Sequence, residues 1–258
     1  GVRAASDFLM ALQLTGAAQS DSIANMQLRL PVVGIAGGLT AIDAATEALA
    51  YYPVQVEKFL RRYEILAAVQ GEAAIRANWD SEEREIAEEF MTHARAIRNE
   101  KAQAAREGRE PRVAALLQSW GGAMIAYRKR LIDSPSYTLN HEEVEKALEE
   151  GIYFAEGLTP LRIDIDQWEH VQAIRFAVQA MNEEGSWYKV KEVTQPARTI
   201  LVAAGTQPNT VLAREDAHNF KLNGRYFASC DEQGQPLDAI RGNPKPETPA
   251  VLLSHSDD

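Results

Sequence analysis

The sequence has very little cysteine and no long apolar run. Cys230 is its single cysteine, so the chain cannot form an intramolecular disulfide or build a cysteine-ligated iron–sulfur or zinc site alone. No apolar run approaches the ~18 residues of a membrane-spanning helix, and we expect no membrane partner. The formal net charge of −10 argues against nucleic acid as a partner. Low cysteine use favours a cytoplasmic location. Gly1 stands where an initiator methionine would, so we expect an excised segment of a longer protein.

The residues that are present alternate between apolar runs and helical patterns. Apolar runs at 30–38, 121–127, 152–154 and 199–204 predict strands, and helical spacing follows the first and precedes the third. The run QAIRFAVQ at 172–179 fits either strand or helix. We therefore predict a Rossmann-like α/β domain over 1–258, with a parallel sheet and a small antiparallel β element.

A long helical stretch interrupts this alternation. Residues 48–118 carry helical spacing and many charges, where a short connection would be usual. Asp80 and Glu83 have the spacing of a capping box, and Gly108 is placed to end the same helix. We predict a helical insertion over 48–118. A second strong helix prediction covers Asn140 to Glu150, with Asn140 as its cap.

The first candidate site is the corner after the first predicted strand, at Ala36, Gly37, Gly38, Leu39 and Thr40. A diphosphate needs exposed backbone N–H groups and close approach of the main chain, which glycine permits at a helix start. Ala36 stands where such fingerprints usually have glycine. An ordinary corner of an α/β protein could carry the same residues, and the motif alone does not decide between the two.

The second candidate is the basic run Arg128, Lys129 and Arg130 after the next strand. Basic side chains at this position accommodate the 2′-phosphate of NADP, whereas an acid there would bind the ribose of NAD. The third candidate is Ala204 and Gly205, small residues within the run AAGTQPN at 203–209. A solvated basic patch and a plain turn are the respective alternatives. His141 and the acids beside it lack zinc-protease spacing, so we predict no metal site and name no catalytic acid or base.

Taken in order, the motifs resemble the glutamate synthase small-subunit (β-subunit-like) family of FAD- and NAD(P)H-dependent oxidoreductases. The matching stretches are GV at 1–2 with SDFL at 6–9, GGLTAIDAATE at 37–47, AYRKR at 126–130, SPSYTLNHEEVEKALEEGI at 134–152 and ILVAAGTQPN at 200–209. The family's flavin fingerprints, expected on both sides, are absent from this sequence, as are its cluster cysteines.

The resemblance implies that NADPH, or NADH, binds here and passes hydride to FAD held by flanking sequence. It assigns the diphosphate to Gly37, Gly38, Leu39 and Thr40, the 2′-phosphate to Arg128 and Arg130, and the nicotinamide side to Ala204 and Gly205. It also implies iron–sulfur clusters or a partner subunit in the full-length protein. We expect this chain alone to be inactive.

The sequence leaves a second function open and disfavours a third. The helical stretch could make the chain a non-catalytic module that docks a partner subunit or a second copy, forming a homo-oligomer. A stand-alone Rossmann dehydrogenase is disfavoured, because no Tyr-x-x-x-Lys pair, catalytic histidine group or substrate domain is evident.

Overall fold

A five-stranded parallel sheet lies at the centre of the fold, which is a computed structural model describing residues 1–205, 208–231 and 233–237. The strands, in chain order, are β1 (Val2–Ala4), β2 (Val32–Ile35), β3 (Ala123–Ala126), β4 (Tyr153–Ala155), β5 (Leu158–Ile165), β6 (Val171–Met181), β7 (Trp187–Pro196), β8 (Thr199–Val202), β9 (Leu222–Asn223) and β10 (Tyr226–Phe227). The helices are α1 (Ala5–Leu14), α2 (Leu39–Gln70), α3 (Glu72–Ala77), α4 (Ser81–Glu107), α5 (Val113–Ser119), α6 (Pro135–Glu149) and α7 (Leu212–Glu215), with a 3-10 turn at Leu131–Asp133.

The parallel sheet has the order β1-β8-β2-β3-β4. Its central strands are short, apolar and buried on both faces, which is typical of parallel sheets with both sides covered. β5, β6 and β7 form a separate antiparallel sheet. The Rossmann-like α/β class is confirmed, with its parallel sheet, small antiparallel element and long helices. Residues 172–179, for which the sequence fits either a strand or a helix, form a strand within β6.

The two faces of the parallel sheet pack against different layers. On one face Val32 and Ile125 belong to a hydrophobic cluster with Phe8 of α1, Ile42 of α2 and Val144 of α6. On the other face the cluster contains Val33 and Ile200 together with Ile174 and Phe176 of β6. Successive residues of a strand point to opposite faces, so one four-residue strand serves both clusters.

The helical stretch is continuous with the sheet's core. α2 runs without a break from Leu39 through Pro53 to Gln70, so residue 48, the predicted start of the insertion, lies inside one helix. Tyr52 and Phe90 are buried in the same cluster as the sheet residues. The capping box at Asp80 and Glu83 is present, and Gly108 ends α4 in the left-handed conformation. Whether the stretch is an insertion stays a prediction.

One helix begins earlier than the sequence patterns predict. α6 starts at Pro135 rather than after Asn140, because the hydroxyl of Ser134 accepts the N–H of Tyr137 and Pro135 occupies the first helical position. Asn140 instead forms a kink within α6, with φ of −149° and ψ of 63°.

The chain divides into two units, Gly1–Ala204 and Gly205–Asp258. The described part of the second unit contains α7 and the β9–β10 hairpin, in which Asn223 pairs with Tyr226. Cys230 is buried, and its backbone forms an isolated antiparallel β-bridge with Pro236. None of the described helices combines the length and the apolarity needed to cross a membrane.

Candidate functional site

The corner between β2 and α2 has an unusual backbone. Ala36 has φ of +131°, in the region that favours glycine. Gly38 caps α2 in an extended conformation, and within the described part of the chain no side chain caps the start of the helix. The first turn of α2 carries no acid. Among the residues that the structure describes, the first N–H groups of α2 therefore have no side-chain cap, which is the arrangement that an anion requires.

The two glycines of the corner have different surroundings. A Cβ at Gly37 would lie 2.7 Å from Cδ2 of Tyr127, so the tyrosine ring lies directly against this residue. The carbonyl oxygen of Gly37 accepts two hydrogen bonds from Ser136, one from the hydroxyl at 2.9 Å and one from the backbone N–H at 3.2 Å. A Cβ at Gly38 would meet nothing within 4 Å. Gly37 is thus enclosed by protein, whereas Gly38 faces open space.

The basic run lies at the same edge of the sheet as the corner. β2 and β3 are adjacent and parallel, with Ile35 opposite Ala126, so the segments that follow them leave side by side. Arg128, Lys129 and Arg130 are all exposed. The structure therefore brings the first two candidate motifs together, with Tyr127 in contact with Gly37.

Among the three bases, only Arg130 has an ion pair within the described residues. Its Nε and Nη2 bind the two carboxylate oxygens of Asp133 at 2.8 and 2.9 Å. This hydrogen bonding lowers the pKa of Asp133 and raises that of Arg130. Arg128 and Lys129 are exposed and have no ion pair within the described residues.

The third motif follows β8, the strand beside β2, at the same carboxyl edge of the sheet. The N–H of Ala203 donates to the carbonyl oxygen of Ile35 at 2.9 Å, so the end of β8 lies beside the end of β2. Ala204 is exposed. Gly205 has φ of +110° and is the first residue of the second unit, while Thr206 and Gln207 lie outside the described residues. In open parallel sheets, ligands bind outside the carboxyl ends of the strands, which is where Ala36, Arg128 and Ala204 follow their strands.

Several contacts at this edge join residues far apart in sequence. The buried Ser136 holds α6 against the corner through Gly37, and its hydroxyl lies 3.1 Å from that of the buried Ser134. Glu156, after β4, accepts the N–H of Leu131 at 2.6 Å. The Ser134-Pro135 pair is a recognisable helix start, but nothing local indicates that Ser136 binds Gly37. In the part of the chain that the structure describes, no three His, Cys, Asp or Glu side chains are grouped to hold a metal.

Comparison with known proteins gives one curated relative, an uncharacterized protein of Rickettsia prowazekii (strain Madrid E). The two are 36% identical over 242 residues, which cover 89% of this chain and 32% of the relative. The chain thus spans about a third of the length of the curated relative it matches. No protein-family profile matches the chain.

Solved structures with local likeness include two reductases. A ferredoxin reductase from Rhodopseudomonas palustris matches with a TM-score of 0.31 and 12% identity, over 72% of this chain and 26% of its own. The bacillithiol disulfide reductase of Bacillus cereus matches with a TM-score of 0.34 and 12% identity. The match covers 80% of this chain and 38% of the reductase.

Proposed function

We propose that this chain is the NAD(P)H-binding part of a flavin-dependent oxidoreductase similar to the glutamate synthase small subunit. The observation that carries the proposal is the open corner at Gly38, which has no side-chain cap, at the same sheet edge as two exposed bases that have no ion pair among the described residues. The fold alone would be compatible with many functions.

The residues present fit a dinucleotide. The N–H groups at Gly38, Leu39 and Thr40 would donate to the diphosphate, and the absence of a Cβ at Gly38 leaves space for it. Arg128, Lys129 and Arg130 would bind the 2′-phosphate through charge-assisted hydrogen bonds. The small residue Ala204, which follows β8, would border the nicotinamide.

When bound, NADPH supplies the hydride, and FAD held by flanking sequence would accept it. Protein groups of this chain would bind and orient the nucleotide; none of them takes or gives a proton in this proposal. The proposal extends to an iron–sulfur protein or a partner subunit as the next electron acceptor, and to a cytoplasmic location.

Nucleotide titration of the purified chain tests the proposal. We expect saturable binding of NADPH and weaker binding of NADH. Gly38→Ala should weaken both by about tenfold or more, since the new Cβ would occupy the space of the diphosphate. It should leave the fold intact, because that position is open and its φ is −96°. Gly37→Ala is the contrasting variant, since it should disturb Tyr127 and lower stability by about 1–3 kcal/mol.

Arg128→Ala separates the 2′-phosphate from the rest of the nucleotide. It should weaken NADPH about tenfold and leave NADH unchanged, because a charge-assisted hydrogen bond contributes about 1.5 kcal/mol or more. Arg95→Ala, at an exposed arginine on α4, is the matched control. Absence of a saturable signal with millimolar NADPH would contradict the proposal.

A subunit-docking function is the second candidate, and one feature favours it. Near its end α2 exposes Ile65, Leu66 and Val69, and the exposed fraction of Val69 is 81%. Exposed apolar clusters often mark contact sites. If this surface joins two copies of the chain, Val69→Lys should reduce the mass measured by light scattering and leave NADPH binding unchanged.

A further inference from the structure

The fork of Arg130 is already occupied in the protein. Its Nε lies 2.8 Å from Oδ2 of Asp133, and its Nη2 lies 2.9 Å from Oδ1. Two parallel hydrogen bonds of this kind are the geometry with which a guanidinium binds a carboxylate or a phosphate. Asp133 therefore uses the same two donors that a phosphate would use on that side of Arg130.

Asp133 is held in this position by its own segment. Its N–H donates to the carbonyl oxygen of Arg130 at 3.0 Å, which closes the 3-10 turn. Leu131 is tied to Glu156, and the next residue, Ser134, is fully buried as the cap of α6. Both ends of the segment 131–134 are thus anchored, which holds the backbone of Asp133 beside Arg130.

The charge of Asp133 is maintained at neutral pH. Its pKa is lowered mainly by the hydrogen bonds from Arg130, with Lys129 adding a favourable charge. An anionic ligand at this edge therefore meets one neutralised guanidinium and two bases without ion pairs among the described residues, Arg128 and Lys129.

We propose that Asp133 is an intramolecular competitor for the 2′-phosphate of NADPH at Arg130, and so weakens NADPH binding without affecting NADH. This inference rests on the proposed function. The donors Nε and Nη2 of Arg130 can bind the phosphate only in molecules in which the pair with Asp133 has opened. The apparent affinity at this side of Arg130 is the intrinsic affinity multiplied by the fraction of open molecules. For an exposed pair the fraction corresponds to an affinity lower by about two- to sixfold.

The test is Asp133→Asn, which keeps the size of the side chain and removes its charge. Binding is measured by calorimetry with NADPH, NADH and adenosine 2′,5′-bisphosphate, a probe that carries the 2′-phosphate without the nicotinamide. We expect the two 2′-phosphate ligands to bind about two- to sixfold more tightly, and NADH to bind as before. The gain should shrink at high salt, because the pair is exposed.

Two further variants isolate the pair. Glu145→Gln on the exposed side of α6 removes one negative charge elsewhere and should change none of the affinities. In an Arg130→Met background, Asp133→Asn should have no effect on any ligand, because the contested guanidinium is gone. A gain that persists in that background would mean that Asp133 acts through general repulsion, and would overturn the inference.

The outcomes separate the two proposals. Unchanged or weaker NADPH binding by Asp133→Asn, with saturable binding retained, overturns the competitor and leaves the proposed function standing. An equal gain for NADH also overturns the competitor. Failure of both the unmodified chain and Asp133→Asn to bind any of the three ligands overturns the proposed function and the competitor together.

Discussion

At the amino edge of the parallel sheet, Arg29 and Arg198 bind carboxylates of α4, whereas at the carboxyl edge Arg128 and Lys129 have no ion pair within the described residues. Nη2 of Arg29 lies 3.0 Å from Oε1 of Glu85, and Nη2 of Arg198 lies 3.0 Å from the same oxygen. Arg29 is buried there, while the bases of the carboxyl edge are exposed.

The difference separates charges that hold the fold from charges available to a ligand. At the amino edge the main chain of Arg29 is also bound to the sheet. The hydroxyl of Thr199 in β8 donates to the carbonyl oxygen of Arg29 at 2.8 Å and accepts the backbone N–H of Arg29 at 3.1 Å. The helical stretch is therefore fastened to the sheet through Arg29. Exposed bases at the other edge contribute little to stability, and their removal should be felt in ligand binding instead.

Replacing Arg29 should have the largest effect on stability. Arg29→Met leaves Glu89 without its guanidinium partner, and Glu89 is only partly exposed. Breaking a buried pair from one side is costly, and since the acids are partly solvated we expect the free energy of unfolding to fall by about 2–3 kcal/mol. Urea denaturation measures it.

Arg128→Met at the carboxyl edge is the matched control, with an expected change within about 0.5 kcal/mol. Equal losses in the two variants would show that the two edges do not differ in the way described.

A smaller effect of opposite sign is expected at the corner itself. Ala36→Gly removes a side chain from a backbone with φ of +131°. Relief of that strain exceeds the extra flexibility of glycine in the unfolded chain, so the free energy of unfolding should rise by about 1 kcal/mol. Thermal and urea unfolding both report it.

Ala41→Gly, five residues on and inside α2, should instead lower stability by about 1 kcal/mol, because glycine is a poor helix former. If Ala36→Gly lowers stability as much as Ala41→Gly does, the conformation at Ala36 is not strained.

How far the sequence predicts this molecule depends on the range of each contact. The corner at Gly37 and Gly38, the capping box at Asp80 and the parallel sheet follow from local patterns, and the structure contains all of them. The contact between Ser136 and Gly37 spans 99 residues and leaves no local signal. For this reason the sequence motifs predict the position of the glycine corner but not that Gly37 is enclosed.

The acids of α4 show the same limit. Their position in the first turns of α4 fits the helix dipole, which a sequence pattern can indicate. The structure adds that Glu85 and Glu89 bind Arg29, which is 56 and 60 residues away. Acidic side chains near the start of a helix can therefore both offset the helix dipole and form ion pairs with distant residues. Only the fold identifies those distant partners.

The smallest expected effect concerns a carboxylate at the far end of α4. Hydrogen bonds from Arg109 and from the N–H of Arg112 lower the pKa of Glu100 from 4.5 to about 2. Because the folded pKa is the lower one, this pair supports the fold above pH 4.5, and the support is lost as the pH falls toward 2. A carboxyl-carbon NMR titration should show Glu100 titrating near the lower value.

Arg109→Gln should raise the pKa of Glu100 toward its ordinary value, because the largest contribution comes from Arg109. The titration of Asp133, which depends on Arg130 at the sheet edge, should not change. A shift of both carboxylates in this variant would mean that the helical region and the carboxyl edge are electrostatically coupled. In that case the charges that fasten the helices could not be treated separately from those offered to a ligand.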